Sequence, residues 1–327
     1  MTTSSQPGLT PAARATGLTS FAQPTSAASF MGVPLATDPR GARAAILGVP
    51  FDCGSHPTRI GARLGPSAIR QQSTLVRRFS VTGPDTDPIQ ALGLVDCGDV
   101  ILTPGSVESS YPNIQRAVAS IAAAGAIPIT FGGDGAVTLP QLRALAGEHA
   151  DLAVLHFDAH TDAYDMTGHN TATTFTRAAE EGLIDAGASI HIGARGPTFM
   201  PGVLAHTRSL GYEVIEFNDW RARGTDHLLG HLHQRLKGRP VYLCFDMDFF
   251  DPSCAPGVCA PVWGGALAGE GLALLEGLQG LNFVAFDINT VSPPHDPHGQ
   301  TAYLAATVAW QCLWLALAAG TSNGDRN

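Results

Sequence analysis

The feature that most constrains this chain is a repeated pattern in which a short apolar run stops at Gly or Asp. The run 127–131 stops at Gly132-Gly133-Asp134, and the run 152–157 at Asp158, His160 and Asp162. The run 241–245 stops at Asp246 and Asp248, and the run 283–286 at Asp287. Ala/Leu-rich stretches of helical character lie between these runs. Strands are expected over 44–49, 127–131, 152–157, 189–193, 213–217, 241–245 and 283–286. Helices are expected over 66–72, 107–124, 139–148, 174–182, 226–236, 269–280 and 302–319. Runs this apolar are buried on both faces, which is the condition of parallel strands joined by helical crossovers. The expected class is α/β, a three-layer α-β-α arrangement around a central, mainly parallel sheet.

In such sheets ligands bind beyond the carboxyl ends of the strands, where the polar residues of this chain collect. Asp158, His160 and Asp162 alternate with small residues. An extended segment of period two points all three to one side. Asp246 and Asp248 repeat the device on another strand. Two solvated acidic turns are the bland alternative. Four carboxylates and an imidazole at two strand ends fit a divalent ion of the Mn, Ni, Fe or Zn group better. Without a cation such carboxylates repel one another, and their pKa values rise.

Other features exclude whole classes of function. The formal charge is -9. No basic run is present, which argues against nucleic acid as a partner. None of the six cysteines forms a CxxC pair. Reduced thiols in a cytoplasmic protein are the expectation. Cys254 and Cys259 lie near the acidic loop, but their spacing fits no zinc pattern. Residues 1–28 are rich in Ser, Thr, Ala and Pro, so a disordered tail is expected there, without the apolar core of a secretory signal. One domain is expected over 29–322. The uncharged stretch 301–320 raises the question of a membrane span, but a buried terminal helix is the expectation.

Three longer motifs resemble the signatures of the ureohydrolase superfamily, the arginases and agmatinases. They are Gly132-Gly133-Asp134, Asp158-Ala-His160-Thr-Asp162-Ala-Tyr164, and the run from Phe245 through Asp246, Asp248 and Asp251 to Pro256-Gly257. The likeness spans about Phe30 to Ala319, includes Asp52, Arg59, Arg63 and Arg70, and is nearest to agmatinases and guanidinobutyrases. The resemblance implies a metal-dependent hydrolase of guanidine carbon–nitrogen bonds that assembles as trimers or hexamers. Two metals, Mn or Ni, would activate a bridging hydroxide. By the same resemblance Asp158 and Asp246 bridge both metals, Asp162 joins the first, and His160 and Asp248 join the second.

The departures matter as much. The family continues Gly-Gly-Asp with a metal-binding His, where this chain has Gly135. A family His that serves proton transfer or substrate binding falls at Thr171, with His169 two residues away as a substitute. A family Glu that pairs with the guanidinium falls at Thr290, and a hydroxyl does not supply its charge. Asp287 is matched in the family and is expected to be structural. His295 and His298 are further candidates to re-enter the site.

With these losses fewer than two metals per subunit are expected. The favoured reading is a non-catalytic or support subunit paired with an active ureohydrolase paralogue. In this the chain resembles the degenerate partner expected in the nickel-dependent, heteromeric hydrolase of the biguanide metformin. The alternatives are an active hydrolase of an unusual N-substituted guanidine and a metal-binding regulatory protein. An oligomer is expected, partly because the helix 302–319 looks too apolar to be exposed.

Overall fold

The computed structural model describes residues 22–23, 28–53 and 56–319. Among these residues nine strands form one sheet: β1 (Ala22–Gln23), β2 (Ala44–Gly48), β3 (Val95–Val100), β4 (Ile127–Phe131), β5 (Ala153–Phe157), β6 (Ile190–Ala194), β7 (Glu213–Glu216), β8 (Pro240–Asp246) and β9 (Asn282–Asn289). The spatial order is β1-β3-β2-β4-β9-β8-β5-β6-β7. All pairings from β2 to β9 are parallel, and only β1 is antiparallel. The expected central parallel sheet is therefore present.

Among the described residues ten helices cover it: α1 (Gly65–Gln72), α2 (Pro88–Leu92), α3 (Val107–Ala123), α4 (Thr138–Leu145), α5 (Thr174–Glu180), α6 (Val203–Ser209), α7 (Phe217–Arg223), α8 (Thr225–Leu236), α9 (Ala268–Glu276) and α10 (Gln300–Ala319). Strand residues alternate between two cores, as a period of two requires. Ala44 and Ile46, Leu155 and Phe157, and Leu243 and Phe245 pack with residues of α1, α8, α9 and α10. Ala45 and Leu47, Val154, and Tyr242 and Cys244 pack with residues of α3, α4 and α5.

The expected tail over 1–28 falls mostly outside the described residues. Within it, Ala22–Gln23 pairs with Val100 and Asp99 at the sheet edge. Main-chain hydrogen bonding to an open edge needs no apolar composition, so composition does not forbid this strand.

Strand β3 and helices α2, α6 and α7 were not expected. Val95–Val100 carries Asp96, Gly98 and Asp99, which break the apolar pattern. Arg70 of α1 is the reason those acids tolerate burial. Its guanidinium donates to both Asp96 oxygens at 2.8 Å and also pairs with Asp99. Arg70 is only 1% exposed.

Helix α10 is long and apolar enough to cross a membrane by length and composition, yet 67% of its most apolar window is buried inside the fold. Most of its apolar residues pack within the subunit, while Tyr303 is exposed and Trp310, Trp314 and Leu317 are half-buried.

Arg70→Ala strands two buried carboxylates. It should destabilise the chain by about 3–5 kcal/mol, read as a lower denaturant midpoint at unchanged slope. An unchanged midpoint contradicts the role given to Arg70.

Candidate metal centre

The site lies at the carboxyl ends of β4, β9, β8 and β5, four neighbouring strands at the middle of the sheet. Strand β4 ends in Gly132-Gly133, where no side chain fits. A Cβ at Gly132 would lie 1.7 Å from Asn289 Oδ1, and one at Gly133 would lie 1.5 Å from the Phe51 carbonyl oxygen. Asp134 then accepts from the Cys53 and Ala136 amides and caps the 3-10 turn Gly135–Val137. It is therefore a structural carboxylate. Burial raises its pKa to about 6, against the opposing effect of the Cys53 hydrogen bonds.

Strand β5 delivers Asp158, and the following loop delivers His160 and Asp162. Strand β8 delivers Asp246, and the 3-10 turn Met247–Phe249 delivers Asp248. Ligand-type atoms of Asp158, His160 and Asp248 lie within 4.8 Å of one another, and so do those of Asp158, Asp162 and Asp246. The five expected residues are thus brought together as two groups that share Asp158. His160 Nδ1 lies 3.2 Å from Asp158 Oδ1 and 3.3 Å from Asp248 Oδ2.

The electrostatics fit a cation. Burial, and then the charge of Asp158, push Asp162 and Asp246 well above the usual carboxylate range and Asp248 to about 7. Burial also acts against ionised Asp158, but the adjacent His160 outweighs it and holds Asp158 low. His160 is raised: burial opposes its charge, and Asp158 and Asp248 more than compensate. Asp246 Oδ1 and Asp248 Oδ1 are buried with no hydrogen-bond partner. Orphaned carboxylate oxygens of this kind suit a divalent metal. The group of Asp158, His160 and Asp248 offers an imidazole and two carboxylates. The other offers three carboxylates alone.

Gly135 occupies the place where a further ligand would enter. A Cβ built there lies 2.8 Å from Asp162 Oδ2 and 3.5 Å from Asp246 Oδ2. It also lies 2.9 Å from the Thr171 methyl. The missing donor therefore faces the all-carboxylate group, and Thr171 partly fills the space it leaves.

Thr290 lines the same cleft in a left-handed conformation, φ 73°. That is a strained state for a β-branched residue. Its Oγ1 accepts from the Met247 amide at 2.9 Å, so the hydroxyl serves the backbone. Thr171 Oγ1 is buried without a partner.

His169 does not enter the cleft. It stacks edge-on against Tyr111 and approaches Arg143. His295 is bonded to Ser292, and neither it nor His298 lines the cleft. Cys259 lines the cleft and Cys254 does not. Asp287 is a structural hub, as expected. It accepts from Thr130, Thr138, Tyr242 and Asn289.

Two imidazoles escaped the sequence reading. His56 lies on the cleft wall; its Nδ1 accepts from the Arg59 amide at 3.0 Å. His156 lies inside an apolar strand, two residues before Asp158, and that spacing was the signal available. Its Nε2 is 3.4 Å from Asp246 Oδ2 and 3.5 Å from Asp158 Oδ2. Tyr164 and Phe199 line the cleft and stack with centroids 4.8 Å apart.

The sequence pattern of the arginase family matches residues 42–314. This chain belongs to the arginase family. The human mitochondrial guanidino acid hydrolase is 38% identical over 297 residues, 89% of this chain and 83% of that protein. The Photorhabdus laumondii agmatinase is 38% identical over 294 residues, 89% of this chain and 93% of that protein. Among solved structures, proclavaminate amidino hydrolase from Streptomyces clavuligerus aligns with a TM-score of 0.85 at 33% identity, covering 90% of this chain and 98% of that one. The arginase family comprises metal-dependent hydrolases of guanidino compounds, and the two carboxylate-rich groups of this chain could hold metal ions.

Manganese should occupy only the group that keeps an imidazole, because the other group lacks the donor of residue 135. Elemental analysis after dialysis should give fewer than two manganese ions per subunit. Two tightly held ions would mean that another donor replaces residue 135. Gly135→His should raise occupancy, and adding Thr171→Ala should raise it further by freeing the space for the ring.

The metal-free site also predicts a pH effect. Asp248 titrates near 7 when folded and near 3.8 in the ordinary state. Between those values the native state holds more protons, so this group's contribution to stability falls as pH rises from about 4 to about 7. In thermal unfolding with chelator, Asp248→Asn should gain on the wild type across that window. A difference independent of pH contradicts the assignment.

Proposed function

We propose that this chain is a non-catalytic support subunit of a metal-dependent hydrolase that cleaves C–N bonds of guanidine-type or biguanide-type compounds. A ureohydrolase paralogue with a complete ligand set carries the reaction. The observation that carries this reading is Gly135, a residue without a side chain aimed at Asp162 and Asp246. When bound, two metals of the Mn or Ni type supply an activated water and hold the substrate in place. In this chain Asp158, Asp246, Asp248 and His160 can hold one such ion, while Asp162 faces a ligand set without its imidazole.

The remaining losses point the same way. The Thr290 hydroxyl is engaged by the Met247 amide and offers no charge to a guanidinium. Thr171 offers no group for proton transfer near neutral pH. Groups of these kinds each contribute about 10²–10⁴ in rate. Their losses do not simply multiply, but together they leave little turnover. The preserved fold and an exposed apolar stretch support a role in assembly. Leu75, Phe79 and Val81 are all more than half exposed within one segment. Six unpaired thiols agree with a cytoplasmic setting.

A second reading has one observation in its favour. His56 lies on the wall of an open cleft beside the intact ligand group, where an imidazole can serve as a proton carrier. In that reading the chain itself acts on an N-substituted guanidine.

Urea-release assays separate the two. Purified alone and metal-loaded, the chain should release no urea from agmatine, arginine or 4-guanidinobutyrate above background. Purified with its paralogue, the complex should turn over. Asp246→Ala in this chain should then leave most activity in place, provided the complex still assembles by light scattering. Turnover by the chain alone, or an essential Asp246 here in an assembled complex, overturns the support-subunit reading.

A further inference from the structure

Asp246 belongs to one of the ligand groups of the cleft and also to a different cluster. His156 and Cys244 are directly paired across β5 and β8. They sit two residues before Asp158 and Asp246, on the same sheet face and one step into the protein. Ligand-type atoms of His156, Cys244 and Asp246 lie within 4.8 Å of one another, and all three residues are buried. Asp246 Oδ1 is buried without a hydrogen-bond partner.

We infer that these three residues form a metal site of their own, selective for a softer divalent ion such as cobalt or zinc. The donor set is nitrogen, sulfur and oxygen, and thiolate with imidazole favours such ions over manganese. Bonds of about 2.0–2.3 Å in a tetrahedron separate neighbouring donors by roughly 3.3–3.8 Å. His156 Nε2 and Asp246 Oδ2 are 3.4 Å apart. Asp158 Oδ2 is 3.5 Å from His156 Nε2 but does not belong to the group that includes Cys244, so the three residues supply three donors.

The surroundings support ligation. His156 Nδ1 lies 2.8 Å from His191 Nδ1. With the proton on His156 Nδ1 and His191 accepting it, Nε2 presents its lone pair to the ion. Ligating imidazoles commonly carry an outer hydrogen bond of this sort. Asn289 Nδ2 lies 3.6 Å from Cys244 Sγ and can donate to a thiolate. Binding releases the thiol proton to solvent as the Cys244–metal bond forms.

The same position explains why the site forms here. The carboxylates of the all-oxygen group have no imidazole from residue 135. Among the described residues, His160 and His156 are the imidazoles that reach these aspartates. His160 belongs to the other group. His156 is paired with Cys244, and neither lines the cleft, so an ion that they hold lies outside it. This ion is structural, and its existence does not depend on whether the chain is catalytic.

The competing arrangement has no metal. His156 Nε2 then carries a proton and donates it to Asp158 and Asp246, and Cys244 is a bystander. The thiol distinguishes the two. Titrating the metal-free full chain with cobalt(II) alone should produce an intense near-ultraviolet thiolate-to-cobalt charge-transfer band that saturates at one equivalent per subunit. Cys244→Ser should abolish the band, and Cys259→Ser, which removes the thiol of the cleft wall, should retain it. Manganese in equal amount should not suppress it. Absence of the band at saturating cobalt overturns the site using the wild-type chain alone, and so does a band that survives in Cys244→Ser.

Discussion

Four buried carboxylates converge at the carboxyl ends of β5 and β8, and their mutual repulsion is the constraint around which the centre of this protein is organised. Asp158, Asp162, Asp246 and Asp248 are each at most 5% exposed. Without a cation three of them are held well above the ordinary carboxylate range, and only Asp158, beside His160, is held below it. A divalent ion removes that penalty, so metal binding and stability are linked at the same atoms. The neighbouring structure then follows. Gly132 and Gly133 let the Phe51 segment and Asn289 approach the strand end. Asp287 gathers four donors beneath it and fixes β9 beside β8.

The same constraint gives the substitution at residue 135 its consequence. The position faces the pair of carboxylates that most needs a neutral or cationic partner, and it offers nothing. Thr171 takes part of the space with a methyl group, and Thr290 uses its hydroxyl for a backbone amide. Asp162 and Thr290 have positive φ values, and both line the cleft. The fold and the carboxylate groups are thus present, and the proposed support role rests on what Gly135, Thr171 and Thr290 do not supply.

Much of this was legible in the sequence because period-two spacing fixes direction. Asp158, His160 and Asp162, and Asp246 and Asp248, had to share one side of two strand ends, and the structure brings all five together. Gly135 was legible as a gap only through the resemblance to the ureohydrolase signatures, in which Gly-Gly-Asp is followed by a His. Strand β3 was not, because the partner that makes Asp96 and Asp99 tolerable in a strand is Arg70, distant in sequence. His169 looked like a substitute on spacing alone, but the loop carries it toward Tyr111 and Arg143. His156 was hidden inside a strand that reads as apolar, and its proximity to Asp246 comes from pairing across strands.

Anomalous diffraction from crystals loaded with manganese tests the central claim most directly. A single peak among Asp158, His160 and Asp248, with none among Asp158, Asp162 and Asp246, is the result this account predicts. Two peaks of comparable strength on either side of Asp158, separated by the roughly 3.5–4 Å of a two-metal site, would contradict it.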